Sequence, residues 1–233
     1  MWEQLLNSGK RLVAPSRRAR LYHIGRVSIF AIFVAIVGVG VAATSATAER
    51  ELVVVAFGDS LTAGYGLPAS DAFPVRLETA LRKAGVRVRV INSGVSGETT
   101  AGGRARLDWV LSDMPDAVIV ELGANDALRG IDPAEAAGNL NAILEKLKKR
   151  NVRVLLAGML APPNLGERYA KTFNSIYPDL AAAHDVMLYP FFLDGVAAEP
   201  HLNQPDGMHP NADGVAAIVE RIGPYVKRLL NSE

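Results

Sequence analysis

Residues 51–66 read E-L-V-V-V-A-F-G-D-S-L-T-A-G-Y-G. The unbroken apolar run Leu52–Phe57 lacks the alternation of a half-solvated strand, so it predicts a strand buried on both faces. It stops at Gly58-Asp59-Ser60, and two more glycines follow at positions 64 and 66. A plain turn needs one Gly or Asn. A phosphate cradle pairs its glycines with a lysine, and no lysine stands here. A hydroxyl held at a strand's end, among small neighbours that let a substrate approach, is the third way to account for the pattern.

Working outward, further runs rich in apolar residues read as strands at Val86–Ile91, Ala117–Leu122 and Val152–Ala157, with a shorter one at Val186–Leu188. Helical patterns lie between them. Phe73–Ala84 is one. Pro133–Lys149 is the clearest, with Ala136, Leu140, Ile143, Leu144 and Leu147 at helical spacing. Asp132-Pro133-Ala134-Glu135 opens it with an acidic N-cap, a proline at the first helical position and a Glu at the third. A last helix starts near Asn211, with Val215, Ile218, Val219, Ile222 and Val226 on one face and a kink expected at Gly223-Pro224. Strands alternating with helices predict an α/β fold with a central parallel sheet covered on both sides. In such sheets ligands bind beyond the carboxyl ends of the strands. The loops to inspect are therefore 58–66, 92–103, 123–130 and 158–166, all of them glycine-containing.

Upstream of the first strand the composition changes. Residues 1–48 hold six bases (Lys10, Arg11, Arg17, Arg18, Arg20 and Arg26) and a single acid, Glu3. An uncharged apolar run spans Val27–Ala43, followed by Ala46-Thr47-Ala48. A basic start, an apolar core and an Ala-x-Ala end predict a secretory signal, so the folded domain is expected over 49–233 and the protein is expected to be exported to the periplasm. The alternative is an uncleaved membrane anchor at 27–43, near the lower length limit for a span. The chain has no cysteine, so no lipid is attached at one and no disulfide forms. Taking the six bases and one acid from totals of 25 and 24 leaves 19 bases and 23 acids, a net charge of −4. That balance argues against nucleic acid as a partner, which calls for a basic face.

Each strand-following loop holds a group with chemical potential. The first carries Asp59-Ser60; the second is N92-S-G-V-S-G-E98; the third is G123-A-N-D126; near the C-terminus lies D206-G-M-H-P-N211. Asp206 and His209, three residues apart, face the same way on a turn or first helical turn. A carboxylate bonded to one imidazole nitrogen fixes the tautomer and leaves the other nitrogen free as a base. The bland account is a surface turn with a solvated histidine. For a nucleophile the candidates are hydroxyls: Ser60, whose bland account is a helix N-cap, and Ser96, between Gly94 and Gly97. G-x-S-x-G is absent, which excludes the nucleophile elbow of the α/β-hydrolases. Gly97 can offer a bare backbone N–H and Asn125 a side-chain amide to an oxyanion, though Asn-Asp is also ordinary turn chemistry. His184, after a run of alanines at an expected helix end, is read as structural.

Gly58-Asp59-Ser60-Leu61, Gly97, Gly123-Ala124-Asn125-Asp126 and Asp206-Gly207-Met208-His209, in that order, resemble the four blocks of the SGNH (GDSL) hydrolases. Further stretches (V120-E-L-G-A-N-D-A-L-R-G130, A161-P-P-N164, S175-I-Y-P178, P190-F-F192) resemble the exported thioesterase I, protease I and lysophospholipase L1 type and the related arylesterases. The resemblance covers residues 51 to 230. It implies a flavodoxin-like three-layer α/β/α sandwich. It implies Ser60 as nucleophile, His209 as base, Asp206 as its orienting acid, and an oxyanion hole from the Ser60 N–H, the Gly97 N–H and the Asn125 amide. Ser96 then becomes a loop residue bonding backbone around Gly97, and Asp59 a structural neighbour of the nucleophile.

The expected activity is serine-dependent hydrolysis of aryl and short- to medium-acyl esters, extending to thioesters and lysophospholipids. Substrates are small-molecule or lipid esters, and neither cofactor nor metal is expected. Leu128 and Leu165 are candidate substrate contacts, with Tyr169, Phe191 and Phe192 as further apolar wall or ordinary core. Three rivals stand beside this. One is a metallo-hydrolase using Asp206, His209 and His201. Another is a non-enzymatic binding protein on the same fold. The third is an esterase that removes acetyl groups from polysaccharide or peptidoglycan.

Overall fold

The computed structural model describes residues 50–232; the leader and the alternative anchor at 27–43 lie outside the described residues. The described chain folds around five parallel strands: β1 (Leu52–Gly58), β2 (Val88–Gly94), β3 (Ala117–Glu121), β4 (Arg153–Ala157) and β5 (Met187–Tyr189). Their order across the sheet is β2-β1-β3-β4-β5. Every residue of β3 and the stretch Val54–Gly58 of β1 are buried, which is why these strands are apolar almost throughout, with Glu121 at the end of β3 the exception.

The helices are α1 (Ser60–Ala63), α2 (Phe73–Lys83), α3 (Thr100–Leu111), α4 (Ala124–Leu128), α5 (Pro133–Lys149), α6 (Glu167–His184) and α7 (Ala212–Asn231). α2 packs with α7 on one side of the sheet, and α3, α5 and α6 pack in sequence on the other. This is a three-layer α/β/α sandwich with a central parallel sheet, as expected. Phe73 meets Phe192 edge-on at 5.1 Å between ring centroids, and Phe173 meets Tyr177 at 5.9 Å. Phe192 is fully buried and belongs to this core, not to a substrate wall. No helix among the described residues is long and apolar enough to cross a membrane.

From β1 the chain moves outward to β2, then crosses back to place β3 on β1's other side. The strand order therefore reverses at β1, and a crevice opens beyond the carboxyl ends of β1 and β3. The loops carrying Ser60 and Asn125 flank that crevice.

Three strands begin one or two residues later than the apolar runs predict, and the cause is shared. α2, α5 and α6 each stop at a residue in the left-handed region: Gly85 (φ 82°), Asn151 (φ 56°) and Asp185 (φ 54°). The next residue is a valine whose N–H bonds back across the helix end: Val86 to Leu81 O, Val152 to Leu147 O and Val186 to Ala181 O, at 3.0–3.1 Å. This is a Schellman stop, whose residue after the left-handed one is commonly apolar. Each valine closes a helix before its strand begins. At its other end β2 runs on through Asn92-Ser93-Gly94, because Ser93 and Gly94 keep register with Phe57 and Gly58. Helix α5 has the predicted bounds, and Asp132 Oδ1 accepts the Ala134 N–H at 2.9 Å. Helix α7 is capped by Asn211 and continues past Gly223-Pro224. Helix α6 ends at His184 as expected and carries Pro178 in its interior.

Candidate active site

Ser60 is the first residue of α1, directly beyond β1. The capping duty that competes for its hydroxyl falls to Asp59, whose Oδ1 accepts the Leu61 N–H at 3.0 Å. Ser60 Oγ is instead 2.9 Å from His209 Nε2. As the first residue of a helix, Ser60 also keeps a backbone N–H with no intrahelical acceptor.

His209 lies on a loop pinned at both ends. Asn203 and Pro210 form an antiparallel bridge. The Gln204 N–H donates to His209 O at 2.7 Å. Gln204 Nε2 donates to Tyr65 O at 2.7 Å and Pro210 O at 3.0 Å, latching the loop to the segment after α1. Gly66 has φ 74°, and a side chain on it would collide with Gln204. The Tyr65 ring covers His209 with 4.6 Å between centroids. Asp206 Oδ2 is 2.7 Å from His209 Nδ1. Asp206 Oδ1 accepts the Met208 and His209 N–H groups at 2.9 and 3.0 Å. Those two backbone bonds, that of His209 first, and then the imidazole hold the Asp206 carboxyl down at about 2. The carboxylate thus carries no proton at neutral pH. His209 Nδ1 must be the donor, which leaves Nε2 to accept from Ser60.

Asn125 is the second residue of α4, and its Nδ2 donates to Asp59 Oδ2 at 2.9 Å. Gly97 has φ 79°, a conformation that favours glycine. Its N–H finds no acceptor among the described residues. The loop that carries it is held by charged neighbours rather than by Ser96. Arg106 pairs with Glu98 and donates to Ser93 Oγ at 2.9 Å, Ser93 O at 2.8 Å and Gly58 O at 3.2 Å. Arg129 Nη2 donates to Gly97 O at 2.7 Å. Asp126, next to Asn125, ties α4 to α3 by accepting from Thr100 N and Oγ1 at 2.8 and 2.6 Å.

Below Ser60 lie two fully buried carboxyls, Asp59 and Glu121. Strand register sets Glu121 beside Gly58. Glu121 Oε2 accepts from Thr62 Oγ1 at 2.8 Å and the Asp59 N–H at 3.3 Å, while Oε1 is buried without a partner. Burial, opposed by the Leu61 and Asn125 bonds, pushes Asp59 up to about 6. Burial and the neighbouring Asp59 charge push Glu121 well above the carboxylate range. A buried carboxylate holds its charge only where donors surround it. Asp59 has such donors on both oxygens, so Glu121 is the one that keeps a proton.

Ser60, Gly97, Asn125 and His209 all line a single cavity of about 540 Å³, within the size range of small-molecule sites. Its wall includes Leu128, Met159, Leu160, Pro162, Phe191, Leu193 and Met208. Leu128, 55 % exposed, stands at the mouth. Leu165 is not part of this lining, and Tyr169 turns its hydroxyl away to Ile131 O at 2.7 Å. The third member of the metal reading, His201, is 73 % exposed and faces Glu199 at 3.7 Å. Among the described residues no three metal-ligating side chains cluster. His184 Nε2 pairs with Asn141 Oδ1 of α5 at 2.7 Å and is not part of this cavity's lining.

Residues 56–217 match the GDSL-like lipase/acylhydrolase family. An arylesterase from Vibrio mimicus is 41 % identical over 179 residues, covering 76 % of this chain and 88 % of the relative. The thioesterase 1/protease 1/lysophospholipase L1 of Escherichia coli K12 is 40 % identical over 177 residues, covering 76 % and 84 %. Among solved structures, the SGNH-hydrolase family esterase AlinE4 superposes with a TM-score of 0.66 at 50 % identity, covering 78 % of this chain and 98 % of its own. With this match along the domain that holds the Ser60 cavity, the chain belongs to the GDSL-like lipase/acylhydrolase family and is a carboxylic ester hydrolase.

Proposed function

We propose that Ser60 is the nucleophile, His209 the general base, Asp206 its orienting acid, and that the N–H groups of Ser60 and Gly97 with the Asn125 amide form the oxyanion hole. The observation that carries this is the unbroken chain Asp206–His209–Ser60, with 2.7 and 2.9 Å links, opening into an apolar cavity. Ser60 Oγ attacks the ester carbonyl carbon as its hydrogen passes to His209 Nε2. The carbonyl oxygen becomes an oxyanion facing Gly97 and Asn125. As the tetrahedral species collapses, the bond to the leaving group breaks and the imidazolium protonates the departing oxygen or sulfur. Water then attacks the acyl-enzyme, passes a proton to His209, and Ser60 is regenerated as the acid departs. The imidazolium formed in each half is balanced by the charged Asp206.

The apolar wall of the cavity supports recognition of the acyl chain, with fewer constraints on the leaving group. The relatives' names span arylesterase, thioesterase and lysophospholipase, which supports the same division. Aryl and short- to medium-acyl esters are the proposed substrates, with thioesters and lysophospholipids as extensions. The leader at residues 1–48 supports export ahead of this activity. A series of p-nitrophenyl esters from acetyl to palmitoyl tests the substrate class. kcat/KM should rise beyond acetyl and peak at short to medium chains. Hydrolysis confined to acetyl groups, and best on acetylated polysaccharide, would overturn it.

A further inference from the structure

Asn125 can serve an oxyanion only with one face of its amide. Oxygen and nitrogen ends are nearly alike in shape, and packing alone does not choose between them. If the amide turns over, Oδ1 presents lone pairs to the developing negative charge and repels it.

We propose that Asp59 is a positioning residue for the oxyanion hole: its carboxylate accepts one amide hydrogen of Asn125 and so fixes the NH₂ group toward the reacting carbonyl. This rests on the assignment of Asn125 as an oxyanion donor. Three observations carry it. Asp59 Oδ2 lies 2.9 Å from Asn125 Nδ2, and an ionised carboxylate can only accept. Asp59 cannot swing away, because Oδ1 is committed to the Leu61 N–H at 3.0 Å. The carboxylate is fully buried, so no bulk water replaces it as acceptor. The groups facing Asp59 divide the charge in a way that keeps it an acceptor. Glu121 from β3 lies beside it, holds the proton of the pair and offers its acceptor Oε2 to the Asp59 N–H. Thr62 from α1 donates to Glu121 and not to Asp59. His209 from the C-terminal loop adds a weaker attraction that favours the charged form of Asp59. Asp59 is therefore more than a structural neighbour of the nucleophile.

Asp59→Asn tests this, because it keeps shape and removes the acceptor-only character. If the oxygen of the introduced amide still caps Leu61, its NH₂ group faces Asn125 and favours the inverted Asn125 amide. The expected loss in kcat is about 10²–10³-fold with KM nearly unchanged, the size of losing one oxyanion donor. Asn125→Ala should lose a similar factor. The double variant should lose no more than Asn125→Ala alone, since both changes remove one interaction. A merely structural Asp59 predicts losses that multiply. Multiplying losses, or an Asp59→Asn kcat within twofold of wild type, would overturn the proposal and leave the oxyanion assignment standing. Full activity in Asn125→Ala would overturn both. If Asp59→Asn fails to fold, the wild-type Asn125 side-chain amide answers by NMR. One downfield, slowly exchanging hydrogen of its pair supports the bond to Asp59; a pair of equivalent, fast-exchanging hydrogens overturns it.

Discussion

Ser60→Ala should lower kcat for aryl esters on the order of 10⁶-fold, leaving KM within a few-fold of wild type. Ser60 Oγ is the hydroxyl bonded to His209 Nε2, at 2.9 Å. Without it no acyl-enzyme forms, and the remaining groups can only bind the ester and polarise its carbonyl. That residue of catalysis, about 10³–10⁴ over water, should survive because Gly97 and Asn125 are untouched. His209→Ala should be nearly as severe, and Ser60→Ala/His209→Ala no worse than either alone, since the two residues act as a unit. Folding should be unaffected: Ser60 caps no helix, that task being performed by Asp59. Steady-state kinetics on p-nitrophenyl esters, with circular dichroism as the folding control, decides the matter. A Ser60→Ala enzyme within tenfold of wild type would remove Ser60 from the mechanism.

Asp206→Asn should lower kcat by about 10⁴-fold. The reason is tautomeric more than electrostatic. Asp206 is partly exposed, with its side chain 34 % accessible, so its charge is screened by solvent. Its oxygens, however, have distinct duties: Oδ1 takes two backbone N–H groups and Oδ2 takes His209 Nδ1–H. An asparagine that keeps its oxygen on the backbone turns its NH₂ toward Nδ1. The hydrogen on the ring then moves to Nε2, which can no longer accept from Ser60. An asparagine turned the other way loses both backbone bonds and unsettles the loop. Measured across pH, the variant should stay slow at every value at which the wild type is active. A loss under tenfold would mean that Gln204 and the Tyr65 ring, not Asp206, hold the imidazole in its working orientation.

The parts of the site visible in the sequence are those with a distinctive residue type at a strand's end. Ser60 after a buried run, Asn125 after another, and His209 three residues beyond Asp206 all stand out because parallel sheets gather their loops on one edge. The supporting residues do not stand out. Arg106 and Glu98 look like ordinary surface charges until the fold brings them together under the Gly97 loop. Gln204 has no motif, and its latch to Tyr65 spans 139 positions of chain. Glu121 had one available signal: it is a lone charge inside the run Ala117–Leu122, where every neighbour is apolar. Asp126 likewise passes for turn chemistry, yet it is buried against Thr100.

Apolar residues carry no mark in the sequence that divides core from cavity. Phe191 and Phe192 are adjacent, yet Phe191 lines the cavity and Phe192 packs on Phe73. Periodicity distinguishes buried from exposed, not one buried surface from another. The same limit explains the strand starts. Val86, Val152 and Val186 are as apolar as the strands they precede, and only the left-handed residue before each reveals a helix stop.

The most direct test of the account is to trap the covalent intermediate. The enzyme is quenched in acid during turnover of a p-nitrophenyl ester, digested, and its peptides weighed. The predicted result is one acyl group on the peptide containing Ser60, forming at least as fast as turnover and absent from Ser60→Ala. An acyl group on Ser96 instead, or turnover with no acylated peptide at any time, would contradict the mechanism.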